Sequence, residues 1–193
     1  MTIKDLKCLL YSDYQRIAAV GGGKSMFFHI EYQTIIWYRL SCYFISKHNI
    51  FARLLYFLVR IIQIHLTNKS GIEISGYTPI GKGFRIAHVG SIIIAGGVSI
   101  GENCTIHQCV TLGRSFSGSN AGCPSIGNNV IIFPGAVIVG NIKIGDNSII
   151  GANSLVLDDV PTNSVMGGVP AKILSKDSSR AISEEWKKYF ISK

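Results

Sequence analysis

From Ile126 to Val156 an aliphatic residue returns at every sixth position: Ile126, Ile132, Ile138, Ile144, Ile150, Val156. An earlier run, Ile94, Ile100, Ile106 and Leu112, keeps the same period. Two irregularities interrupt it, one near Gly90–Ile93 and one at Arg114–Ser125. A fixed six-residue period marks a parallel β-helix, in which each unit is a short strand plus a corner. Stacked units place like aliphatic side chains over one another in a narrow core. Four residues after each aliphatic comes a smaller or second apolar residue: Val98, Cys104, Val110, Val130, Ala136, Ser148, Ser154, Val160. Glycine follows several repeat positions (Gly101, Gly127, Gly145, Gly151), where it is expected to supply backbone conformations that other residues resist.

The 193 residues suffice for one moderate domain with an appendage. Residues 1–70 carry nine basic and three acidic side chains, so +6 of the formal +8 lies there. An anionic surface or substrate near that end accounts for the excess, as does solubilising charge on apolar helices. The five cysteines form no CxxC pair, which suits a reduced, cytoplasmic chain better than a disulfide framework or zinc site. The polar first residues show no cleavable signal peptide.

Three regions are expected: an N-terminal helical region, 1–70; the β-helix, 71–174; and a C-terminal tail, 175–193. The first reads as a helix over 1–20, a break at Gly21–Gly23, and helices over 26–47 and 50–66. Asn68–Ser70 reads as a polar link. Charges at Glu31, Arg39, Lys47, Arg53 and Arg60 argue against a membrane span in 26–66. A helical pair packed on the solenoid or on a neighbouring subunit is favoured, and peripheral contact with a membrane stays open. The tail is expected to form a helix with Ile182, Trp186 and Tyr189 on one side, and Arg114–Ser125 a mobile loop.

Four blocks carry a resemblance: Gly81-Lys-Gly-Phe-Arg-Ile-Ala-His88, Val110-Thr-Leu-Gly113, Gly140-Asn-Ile-Lys-Ile-Gly145 and Gly167-Gly-Val-Pro-Ala-Lys172. With Tyr38-Arg39-Leu40 before them, they resemble the hexapeptide-repeat acyltransferases, in the branch that holds serine acetyltransferases and related sugar O-acetyltransferases. The resemblance implies a mainly β fold, a left-handed parallel β-helix behind an α-helical region. It also implies a homotrimer, sometimes a dimer of trimers, with acetyl-CoA in the groove between subunits and no nucleic-acid partner.

On that resemblance His88 is the general base, since imidazole takes a hydroxyl proton near neutral pH. Glu73, where the family has Asp, would orient it; pairing of Glu73 with Lys82 or Arg85 is the alternative. Gly113, Arg114, Pro134, Gly135, Gly151, Ala152 and Lys172 match the family's CoA groove. His107 reads as an outward corner residue, and with only two histidines in the solenoid no metal is expected. Ala87 stands where the serine-binding branch has Asp, and Gly122-Cys123 where it has an Arg-His pair. Positions 87 and 123 are thus candidate acceptor-binding positions without a clamp for an α-carboxylate. The expectation is therefore acetyl transfer to a carbohydrate hydroxyl of a bacterial surface polysaccharide, in the cytoplasm or at the inner membrane face. Serine O-acetylation is the alternative within the enzyme class, and a non-catalytic trimeric scaffold the alternative outside it.

Overall fold

The computed structural model describes residues 1–19 and 28–182. Three helices come first: α1 (Ile3–Ala18), α2 (Ile30–Ile45) and α3 (Ile50–Ser70). The break at Gly21–Gly23 and the tail residues Trp186 and Tyr189 lie outside the described residues. A left-handed parallel β-helix follows. Its first face holds β1 (Ile72–Ile74), β3 (Ile92–Ile94), β6 (Thr111–Gly113), β9 (Val137–Val139) and β12 (Leu155–Val156). The second holds β4 (Ser99–Ile100), β7 (Ser125–Ile126) and β10 (Lys143–Ile144). The third holds β2 (Arg85–Ile86), β5 (Thr105–Ile106), β8 (Ile131–Ile132), β11 (Ile149–Ile150), β13 (Val165–Gly168) and β14 (Ala171–Ser175). Among the described strands all pairings are parallel except the closing β13–β14 hairpin.

The period becomes a core because the ladders hold identical positions in register. Ile94, Leu112, Ile138 and Val156 line up on the first face, Ile86, Ile106, Ile132 and Ile150 on the third, all buried. Each such side chain contributes roughly 1.5–3 kcal/mol. The smaller set, from Val98 through Ser154, fills the interior corners and is likewise buried.

The repeat glycines work differently from expectation. Gly101, Gly127, Gly145 and Gly151 do not have positive φ. They are small because the coils touch there: a Cβ on Gly101 would stand 2.6 Å from Gly127 O, and one on Gly145 2.5 Å from Thr162 N. The left-handed turns fall two residues later, on Asn103, Asn129, Asn147 and Asn153, with φ of 58°, 55°, 58° and 54°, and Asn163, two residues after Pro161, repeats the turn at 57°. Asparagine tolerates that region because its short polar side chain bonds locally. Here it bonds the next coil: Asn129 Nδ2 donates to Asn147 Oδ1 at 2.9 Å, and Asn147 Nδ2 to Asn163 Oδ1 at 3.0 Å.

The helices cover the first coil through one buried ion pair. Arg39 of α2 meets Asp13 of α1 at 2.9 and 3.2 Å, and donates to the carbonyls of Ile80 and Gly81, each at 2.6 Å. Asp13 Oδ1 also accepts from Phe84 N at 2.8 Å. Arg16 adds bonds to Asn103 O and Thr105 Oγ1. The supposed link Asn68–Ser70 is instead the last turn of α3. Ser70 Oγ donates to Leu66 O at 2.7 Å, and Gly71, at φ 70°, closes the helix through its N–H to Thr67 O. By length and composition α3 alone among the described helices could cross a membrane. Its outward side is apolar: Ile50, Phe51, Leu54, Leu55, Phe57, Leu58, Ile61 and Ile64 are exposed.

Candidate active site

The edge between the third and first faces carries most of the expected site. His88 is exposed in the corner after β2. Pro134 and Gly135 follow β8, Gly151 and Ala152 follow β11, and Lys172 sits in β14 opposite Gly167. From β2 to β14 there are five strand steps of about 4.8 Å, so this edge is a track roughly 24 Å long with His88 at one end and Lys172 at the other.

Gly113, Arg114 and Cys123 lie elsewhere. They stand at the edge between the first and second faces, where β6 leaves its sheet. Arg114 Nη2 donates to Gly96 O at 3.2 Å and Cys123 Sγ to the same carbonyl at 3.3 Å. The segment expected as a mobile loop is tied at its base: Ser115 and Gly122 exchange backbone hydrogen bonds of 2.9 and 3.0 Å. Asn120 O accepts from Asn141 N at 2.9 Å. One chain therefore divides the expected residues between opposite edges of its first face.

Glu73 lies outward on β1, beside Ile93 of β3. It borders a cavity of about 350 Å³ with Tyr56, Arg60 and Tyr77. No hydrogen bond or ion pair joins it to His88 or to another described residue. The alternative pairing is not made either, since Lys82 meets Glu102 at 3.4 Å.

His107 is a neighbour that the corner reading undervalued. Ile86, Ile106 and Ile132 are in register, so their successors Ala87, His107 and Phe133 form a column. The His107 ring stacks on Phe133 with centroids 5.0 Å apart and planes 11° apart, and lies 6.2 Å from the His88 ring. Its Nδ1 is 3.0 Å from Ile132 O, which only an Nδ1–H can satisfy. Burial holds its pKa below the usual imidazole range, with Arg85 and His88 adding to the effect against the Ile132 bond. The signal was available in the repeat register once both irregularities, near Gly90–Ile93 and at Arg114–Ser125, are subtracted. No group of three His, Cys, Asp or Glu placed to hold a metal occurs among the described residues.

A family model described as "Bacterial transferase hexapeptide (six repeats)" matches residues 123–158. A serine acetyltransferase of Staphylococcus aureus is 40% identical over 133 residues, 69% of this chain and 62% of its own length. The match thus spans less than two thirds of that relative. A serine acetyltransferase of Helicobacter pylori is 37% identical over 138 residues, 72% of this chain and 80% of its own. A crystal structure of serine acetyltransferase from Brucella abortus in complex with coenzyme A superposes with a TM-score of 0.77 at 25% identity, covering 91% of this chain and 70% of that one. These relatives overturn the expected carbohydrate acceptor in a surface polysaccharide: the proteins this chain is similar to at 37–40% identity are serine acetyltransferases. The absent Arg-His pair at Gly122-Cys123 is a local departure, set against likeness across two thirds of the chain.

Proposed function

The chain belongs to the serine acetyltransferase-like branch of the hexapeptide-repeat transferases, and on that premise we propose that it transfers the acetyl group of acetyl-CoA to the hydroxyl of serine. The observation that carries the reading is the edge track, with an exposed imidazole at one end and a lysine at the other. Its length suits an extended CoA, thioester at His88 and phosphates toward Lys172. Small residues at Gly135, Gly151 and Ala152 let the pantetheine lie close to the backbone.

His88 takes the proton from the serine hydroxyl as its oxygen attacks the thioester carbonyl. A backbone N–H facing the developing oxyanion would stabilise the tetrahedral intermediate. The C–S bond then breaks, and the CoA sulfur leaves with the proton that His88 carried. Arg114, Gly113 and Cys123 join this edge only from a neighbouring subunit, so we take the working form to be a homotrimer, housed in the cytoplasm. Glu73 orients His88 in this scheme only if assembly brings the two together.

Thiol release from acetyl-CoA with L-serine as acceptor tests the activity. Turnover is expected, and His88→Ala should lower it about 10²–10⁴-fold while CoA binding persists. No thiol release with serine would remove the reading.

The outward row of α3 favours one addition, peripheral contact with an anionic membrane surface. Its exposed apolar side chains lie in a stretch with no acidic residue between Glu31 and Glu73, while Arg53 and Lys69 are exposed. Co-sedimentation with anionic but not zwitterionic vesicles is the expected result; none with either would dismiss the contact.

A further inference from the structure

Serine brings an ammonium group that needs hydrogen-bond acceptors once it leaves water. Position 87, next to the base, is alanine and supplies none. The adjacent coil does. Ala87 is the neighbour of His107 in the column, and its small side chain leaves the His107 ring facing His88 at 6.2 Å. Nδ1–H is committed to Ile132 O, so the lone pair of the neutral ring is on Nε2, and Nε2 has no partner among the described residues. Phe133 fixes the ring from its other side. A second acceptor lies in the same corner. Gln108 packs its Cβ against Gly90, and its Oε1 is buried without a hydrogen-bond partner. A buried acceptor left unmade costs about 1–3 kcal/mol, so a group that donates to it is worth seeking.

We propose that His107 Nε2 and Gln108 Oε1 together receive the ammonium group of the amino-acid acceptor. The inference rests on serine as acceptor. It makes the site selective for hydroxyl compounds that carry a primary ammonium beside the reacting carbon chain. His107 binds and does not move the reacting proton, which stays with His88.

The test compares L-serine with 3-hydroxypropanoate, which keeps the hydroxyl and carboxylate and lacks the ammonium. His107→Leu should raise the serine KM about 10–100-fold, the worth of a hydrogen bond to a charged group. The kcat and the acetyl-CoA KM should hold, and 3-hydroxypropanoate should be used as before. Ala87→Asp in the His107→Leu background should lower the serine KM again, since a carboxylate in the neighbouring coil restores an acceptor. Gln108→Leu provides a second variant if His107→Leu does not fold. An unchanged serine KM in both variants, or equal losses on both acceptors, would overturn the subsite. Wild-type protein inert toward serine would overturn the proposed activity and the subsite with it. Activity in the wild type with indifferent variants would overturn the subsite alone.

Discussion

At Gly101 the whole demand on the residue is space. Its Cβ would meet the carbonyl of Gly127 in the next coil, which is backbone and cannot swing aside. Gly101→Ala should therefore destabilise the protein by about 1–3 kcal/mol, the range for overpacking, read as a lower urea midpoint. His107 makes a different demand, because its packing favours the neutral ring. Its folded pKa lies below the unfolded value of 6.5, with Arg85 and His88 as the charged or titratable groups that face it. The unfolded chain then binds more protons, so stability rises with pH through that window and is lost as pH falls below 6.5. Melting temperatures of wild type and His107→Phe should diverge at neutral pH and converge on acidification. Parallel curves would remove this titration from the fold.

Among the elements, α1 and α2 depend on the Asp13–Arg39 pair, the described contact that binds both helices to the first coil by charge. Removing one partner of a buried pair strands the other, typically at a cost of about 3–5 kcal/mol. Asp13→Ala should lose that much in chemical denaturation, whereas Asp13→Leu with Arg39→Met should lose less. Strands were legible from the chain alone because a six-residue period has one physical solution, and the ladders reproduce it position by position. The end of α3 lies past the expected residue 66. Asn68, Lys69 and Ser70 are polar because two of them, Asn68 and Lys69, face solvent on a helix, and the true stop was the glycine after them. The asparagine turns were equally visible, at a constant offset from each repeat glycine. The acceptor class was not legible in the departures at Ala87 and Gly122-Cys123, because the side chains that neighbour position 87, His107 among them, come beside it only when the coils are stacked.

For the whole molecule, the division of the expected site residues between two edges is the strongest constraint on assembly. If His88 of one subunit works with Arg114 of the next, His88→Ala and Arg114→Ala trimers are each impaired. Co-refolding the two variants in equal amounts should then restore about a quarter of the wild-type activity, since random mixing leaves a quarter of the interfaces with both native edges. No recovery in verified mixed trimers would mean that each subunit works by itself. The segment 114–124 is also the one the solenoid does not need. Ser99 and Ile100 pair directly with Ser125 and Ile126, 26 positions on where the next rung, Ser125 with Lys143, is 18, as though the eight extra residues had been clipped out. Such a segment behaves as an interchangeable cassette. Descent, or a designer, can rewrite this segment while the ladders on either side of it are inherited intact.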